Sequence, residues 1–165
     1  MLFRSIEYGD MQLIAEAYWV MKNLIDLTNE EMADVFARWN EGKLRSYLIE
    51  ITSNILRHKD KSGGYLIDKI LDAAGQKGTG KWSVINAMEL GMPLGLIATA
   101  VFERSLSAQK ELRHLASKQF LCKHTLPVYN KAELVKEIFS ALYASKLVSY
   151  AQGFAVLQQI GRAHV

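Results

Sequence analysis

The sequence predicts an all-α fold, a multi-helix array, on three observations. Apolar residues recur at i, i+3, i+4 and i+7 in segment after segment. Several segments open on side chains suited to cap a helix start and close on glycine. No stretch sustains the period-two alternation of a half-buried strand.

The elements follow in order. Residues 6–27 place Leu13, Ile14, Ala17, Tyr18, Met21, Leu24 and Ile25 on one stripe. Thr28-Asn29-Glu30-Glu31 then reads as a capping box, in which the Thr28 hydroxyl and the Glu31 carboxylate satisfy backbone donors reciprocally. That helix runs to about Asn40 and Gly42 breaks it; residues 43–56 repeat the pattern through Leu44, Tyr47, Leu48, Ile51 and Ile55. Residues 60–64 form a polar turn, and a short helix is expected over residues 66–74, ended by Gly75. Residues 82–90 and 93–107 read as two more helices, with Pro93 in the first turn of the second. The second is apolar on most sides, which suits an interior helix or one buried by a partner chain. The pattern stays helical but charged to Lys118, and residues 119–128 form a loop containing Pro127. Asn130 and Glu133 mark another helix start, leading through Leu134, Ile138, Leu142, Tyr143, Leu147, Tyr150 and Leu157.

With 165 residues, 22% charged and 50% apolar, one soluble domain accounts for the chain. The longest apolar stretch, residues 91–102, falls well short of the roughly 20 residues that span a bilayer. A single Cys122 forms no internal disulfide and the start lacks a secretory signal, so a reducing, cytoplasmic setting is expected. His58, His114 and His124 form no ligand cluster, and Cys122 with His124 offers at most two ligands where zinc takes three or four, so no metal site is predicted.

The two ends need separate treatment. Written as ATC GGA AGA GCA CAC, the codons of residues 160–164 have a reverse complement that, in another frame, encodes the residues opening the chain. Such an inverted repeat resembles adaptor DNA read through as protein, so residues 1–5 and 160–165 are set aside as non-native scars flanking residues 6–159. Without Arg4 and Arg162 the formal charge falls from +3 to +1, leaving no basic signature for nucleic acid.

Gly75-Gln76-Lys77-Gly78-Thr79-Gly80-Lys81-Trp82 is the stretch richest in chemistry. Its glycines and lysines bring backbone N–H groups and ammonium charges toward an oxyanion; a surface turn with solvated lysines is the other reading. It matches Gly-x-x-x-x-Gly-Lys, but a nucleotide-binding P-loop needs Ser or Thr where Trp82 stands and a strand where helix is expected.

The same stretch, read as AGQKGTGKW over residues 74–82, resembles the signature of the helical domain of the decarboxylating 6-phosphogluconate dehydrogenase family. Other blocks resemble that family in the same order: IEYGDMQLI at residues 6–14, LIEIT at 48–52, AVFER at 100–104, and ALYASK with SYAQGF at 141–146 and 149–154. The resemblance covers almost all of residues 6–158. It implies part of an enzyme that oxidises and decarboxylates 6-phospho-D-gluconate to D-ribulose 5-phosphate and CO2 while reducing NADP, working as a cytoplasmic homodimer in the pentose phosphate pathway. Position by position, Glu7 falls on the family's general acid, and Tyr8, Lys77, Thr79 and Arg104 on substrate-binding positions associated with the phosphate. An acid that donates near neutral pH needs its pKa raised by burial or neighbours. Lys supplies a compact charge and Arg a planar fork, both suited to a dianion.

The departures carry equal weight. The family has a Lys, a His and an Asn just before the segment that starts at Ile6, serving as general base and substrate ligands; here Phe3 and Arg4 stand at the His and Asn positions. NADP is bound in the family mainly by an N-terminal Rossmann domain, so the chain is read as a fragment and is expected to be inactive by itself. Two alternatives are the similar helical domain of a 3-hydroxyacid-type dehydrogenase and a non-catalytic helical binding module; AGQKGTGKW together with Arg104 favours a phosphorylated sugar acid.

Overall fold

The computed structural model describes residues 3–120 and 130–163. Among them are seven α-helices: α1 (Phe3–Asn23), α2 (Asn29–Asn40), α3 (Tyr47–Arg57), α4 (Thr79–Glu89), α5 (Gly95–Ser107), α6 (Lys110–Gln119) and α7 (Lys131–Ala163). Among these residues the only β-type pairing is a single bridge between Lys59 and Tyr65, so the fold is all-α as the periodicity required. Cys122, His124, Pro127 and most of the loop expected over residues 119–128 lie outside the described residues.

The capping chemistry is realised where the side chains allow it. Thr28 accepts from the backbone of Glu31, whose carboxylate accepts from the backbone of Thr28, so each side chain occupies a donor that the first turn of α2 leaves open. At α7, Asn130 Oδ1 accepts from the backbone N–H groups of Ala132 and Glu133. Helix α3 starts later than the apolar pattern suggests. Asn40 Oδ1 holds the backbone N–H of Ser46, and Ser46 then caps α3, while Leu44 is buried within the intervening turn.

The largest departure is over residues 66–74, where one 3-10 turn, Leu66–Lys69, replaces the expected short helix. Tertiary partners claim the groups that would have made the helix. Arg113 takes both the carboxylate and the carbonyl of Asp72, Ser107 Oγ accepts from the N–H of Ala74, and Arg104 donates to the carbonyl of Gly75. Ile70 and Leu71 are left exposed, so the apolar spacing had no stripe to bury. Downstream, α4 begins at Thr79 instead of Trp82, and Pro93 lies before α5 instead of in its first turn. Helix α1 begins at Phe3 and α7 reaches Ala163, so both run into the terminal residues set aside from the sequence.

The described residues fall into two units. Residues 13–71 and 130–144 form one, with α2, α3 and parts of α1 and α7 around Met21, Met32, Phe36, Trp39, Leu44, Ile49 and Leu56. Its aromatic side chains meet edge to face, Phe36 on Trp39 at 5.2 Å and Trp39 on Phe139 at 5.9 Å between ring centroids. The other unit comprises residues 3–12, 72–120 and 145–163. Its core is Ile6, Ala87, Leu94, Ile97 and Val156, with a second cluster of Tyr8, Ala100 and Val101. No helix among the described residues is long and apolar enough to cross a membrane.

Candidate functional site

The second unit holds a cavity of about 250 Å³ lined by Arg4, Glu7, Tyr8, Met11, Gly75, Lys77, Thr79 and Arg104. All the residues singled out from the sequence, Glu7, Tyr8, Lys77, Thr79 and Arg104, therefore lie on one wall or another of the same small volume. Helix α1 builds one wall, because positions 4, 7, 8 and 11 follow the i, i+3, i+4, i+7 stripe of one helix face. The other wall is the 75–79 segment, with Arg104 reaching in from α5.

That segment is held along α5 by side chains spaced as the helix presents them. Ser107 Oγ accepts from the N–H of Ala74, Arg104 Nη1 donates to the carbonyl of Gly75 at 3.1 Å, and Gln76 Nε2 donates to Ser105 Oγ. The chain then enters α4 through Gly78, whose φ of 90° lies in the left-handed region that glycine adopts at least cost. No side chain caps α4, so the first-turn N–H groups beside Thr79 are open to an anion. Gly80 serves a different need. A Cβ there would stand 2.6 Å from Val101 Cγ2 and 3.4 Å from the Tyr8 ring, so the first turn of α4 meets the Tyr8 wall only because no side chain intervenes.

The cations of the cavity are unequally engaged. The Arg104 guanidinium lies 4.2 Å from the centroid of the buried Tyr8 ring and has Met11 Sδ at 3.4 Å, so its plane is fixed before any ligand arrives. Lys77 is exposed, and no hydrogen bond or ion pair ties it to another described residue. Arg4, Lys77 and Arg104 face a single carboxylate, Glu7, which leaves the volume cationic. Glu7 itself is exposed, so the described residues do not supply the burial that a general acid would draw on.

One turn beyond Glu7, Asp10 forms a buried ion pair with Lys146, 2.8 Å from Nζ to Oδ2. Tyr150, one turn further along α7, has its hydroxyl pKa raised above the ordinary 10.0 by burial first, and then by the charges of Asp10 and Glu7. Sequence reasoning missed Asp10, Met11, Lys146 and Tyr150 as neighbours of the site. Asp10 and Lys146 are separated by 136 positions, and no local pattern links them. Arg4 was set aside with the terminal residues, yet it lines the cavity. A larger volume of about 840 Å³ lies in the other unit between α2 and α7, walled by Val35, Trp39, Val135 and Phe139, where Arg38, Lys131 and Lys136 are accompanied by the carboxylates of Glu31 and Asp34. Among the described residues no group of three His, Cys, Asp or Glu side chains is placed to hold a metal ion.

Comparison with known proteins gives the same direction. A family model described as the 6-phosphogluconate dehydrogenase C-terminal domain matches residues 1–164. The decarboxylating 6-phosphogluconate dehydrogenase of Schizosaccharomyces pombe is 50% identical over 99% of this chain, which covers 33% of that protein. The one from Escherichia coli K12 is 51% identical over 96% of the chain, covering 34% of it. The chain thus spans about a third of the length of the curated relatives it matches. Among solved structures, a Plasmodium falciparum 6-phosphogluconate dehydrogenase, studied in its apo form, with its cofactor NADP+ and with its substrate 6-phosphogluconate, superposes with a TM-score of 0.94. It shares 44% identity over 99% of this chain and 36% of that one. With a family model matched along nearly its whole length and the helical fold retained, the chain belongs to the family of the 6-phosphogluconate dehydrogenase C-terminal domain.

Proposed function

We propose that this chain is part of a decarboxylating 6-phosphogluconate dehydrogenase and carries the portion of the active site that grips the substrate phosphate and protonates the product. The observation that carries the reading is the meeting of Glu7, Tyr8, Lys77, Thr79 and Arg104 on one cationic cavity. Lys77 places a mobile ammonium and Arg104 a pre-oriented guanidinium against a phosphate dianion. The Thr79 hydroxyl and the uncapped N–H groups of α4 add neutral donors on the same side. Tyr8 fixes Arg104 through its ring face and bounds the cavity. Glu7, on the rim, delivers a proton to carbon as the enediol left by CO2 loss collapses to the ketone of ribulose 5-phosphate; the enediol O–H proton leaves as the carbonyl forms.

NADP accepts the hydride in the whole reaction, but the residues described here do not fit a dinucleotide. They contain no strand, and a glycine-rich turn binds pyrophosphate between a strand and a helix. The hydride step is therefore assigned to none of them. Homodimer formation and a cytoplasmic setting belong to the same proposal, by kinship with the family.

An enzyme rebuilt around residues 6–158 tests the division of labour. Glu7→Gln keeps size and hydrogen bonding but removes the proton, so kcat collapses with little change in KM. Lys77→Ala or Arg104→Ala mainly raises KM, by a factor corresponding to roughly 1.5–3 kcal/mol per charged hydrogen bond. Gluconate, which lacks the phosphate, is nearly indifferent to the two cation variants. Equal losses for both substrates would show that Lys77 and Arg104 do something other than hold phosphate.

A further inference from the structure

Helices α1 and α7 meet in a close crossing to which each contributes a glycine. A Cβ on Gly9 would overlap Ser149 Oγ, one on Gly153 would overlap the Ile6 side chain, and Ser149 Oγ donates to the carbonyl of Ile6 at 3.4 Å. Asp10 pairs with Lys146 at the next level, so numbers rise along α1 as they fall along α7, and the helices run antiparallel here. At about 100° per residue, Glu7 and Asp10 fall on one flank of the line through Ile6 and Gly9. Lys146 and Tyr150 fall on one flank of the line through Ser149 and Gly153. The Asp10–Lys146 ion pair shows that these two flanks are the same side of the crossing. Three residues back along α1 and four forward along α7 then bring Glu7 opposite Tyr150, one helical turn from the ion pair. The electrostatics agree: after burial, the charges of Asp10 and Glu7 hold the Tyr150 hydroxyl pKa above 10.0.

We propose that Tyr150 is a positioning residue for Glu7, holding its carboxyl from the α7 side, a role that rests on the general-acid reading of Glu7 above. Once Glu7 has given its proton to carbon it is a carboxylate, and the phenol O–H donates a hydrogen bond to it. The phenol keeps its own proton, because burial and the neighbouring carboxylates disfavour its ionised form. Lys146 neutralises Asp10, so the Glu7 carboxylate does not form beside a second uncompensated charge on the same helix flank. From the cavity side the charged groups facing Glu7 are Arg4, Lys77 and Arg104, with the Tyr8 phenol beside them. Tyr150, 41% exposed, stands outside that lining and adds a neutral donor from behind.

Two measurements test the role. In the 165-residue chain labelled with tyrosine carrying carbon-13 at Cζ, the Tyr150 resonance is identified by its loss in Tyr150→Phe and followed with pH. Its midpoint should lie above 10.0 and move down toward that value in Glu7→Gln, which removes one of the charges that oppose ionisation. A midpoint that Glu7→Gln leaves in place would overturn the juxtaposition. In the enzyme rebuilt around residues 6–158, Tyr150→Phe keeps the ring and removes only the donor. It should lower kcat about tenfold with KM unchanged, the loss of one hydrogen bond to a charged group. In a Glu7→Gln background the same change should cost nothing further, because the carboxylate it serves is gone. An equal loss in both backgrounds would show a merely structural tyrosine and overturn the proposal. If Glu7→Gln abolishes turnover and Tyr150→Phe costs nothing, the Tyr150 inference alone fails. If Glu7→Gln leaves kcat intact, the general-acid reading fails and this role falls with it.

Discussion

Lys146→Met isolates a buried carboxylate and so tests what holds α1 against α7 beside the cavity. In the native fold the Lys146 ammonium lies 2.8 Å from Asp10 Oδ2, the two side chains are 10% and 4% exposed, and Asp10 Oδ1 has no hydrogen-bond partner. Solvent does not reach in to replace the ammonium, and stripping one charge from a buried pair costs about 3–5 kcal/mol. With a urea dependence of about 2 kcal/mol per molar for a chain of this size, the unfolding midpoint falls by roughly 1.5–2.5 M. Urea titration followed by far-ultraviolet circular dichroism reads this directly. The double variant Asp10→Leu with Lys146→Met removes both charges and recovers most of the loss, since an apolar replacement of a buried pair is often neutral. A single-variant loss below about 1 kcal/mol would place the pair with solvated surface pairs and refute the reasoning. Equal midpoints for single and double variants would do the same, by showing that the unpaired charge is not the cause.

Gly80→Ala forces a methyl against Val101, whose β-branched side chain has little freedom to yield, and against the Tyr8 ring. The better helix propensity of Ala offsets about 1 kcal/mol of an overpacking cost of roughly 1–3 kcal/mol. Thermal unfolding should therefore show a loss of up to about 2 kcal/mol, and calorimetry a weaker phosphate site. In acid, the folded pKa values of Asp68, Asp60 and Glu31 all lie below their ordinary values, held down first by Lys22, Lys69 and the Thr28 backbone respectively. Groups shifted in this direction stabilise the fold fully above about pH 5 and lose that contribution as pH falls through their lowered values. Urea midpoints measured below pH 5 should fall, and Asp68→Asn should flatten the fall. At the other end the Lys22 pKa is raised above 10.5, chiefly by Asp68, so its contribution is complete below that value and lost only above it. The apolar side chains of Met88, Phe102, Leu112, Leu115 and Phe120 are exposed, and self-association at micromolar concentration is expected by sedimentation velocity.

The sequence was most informative where structure is decided within one or two turns. Thr28 and Glu31 cap each other at a separation of three residues, and Asn130 does the same work for α7, so both helix starts were legible. The cavity was legible for another reason, the register of the family-like blocks, which named residues from three separate elements. Residues 66–74 misled because the partners that hold Asp72, Ala74 and the adjoining Gly75, namely Arg113, Ser107 and Arg104, lie some 30 to 40 positions away. The Asp10 and Lys146 pair was invisible for the same reason, since its two members meet only after folding. Arg4 was overlooked because the terminal residues were judged by the DNA that resembles them, while the helix that contains them was not considered.

Amide chemical shifts of the isotope-labelled chain, titrated with 6-phosphogluconate, test the cavity as a binding site most directly. Shifts should concentrate at Glu7, Tyr8, Lys77, Thr79 and Arg104 and in the first turn of α4, with residues of the other unit little changed. Shifts clustered instead along Val35, Trp39, Val135 and Phe139, or none anywhere at millimolar ligand, would contradict the assignment.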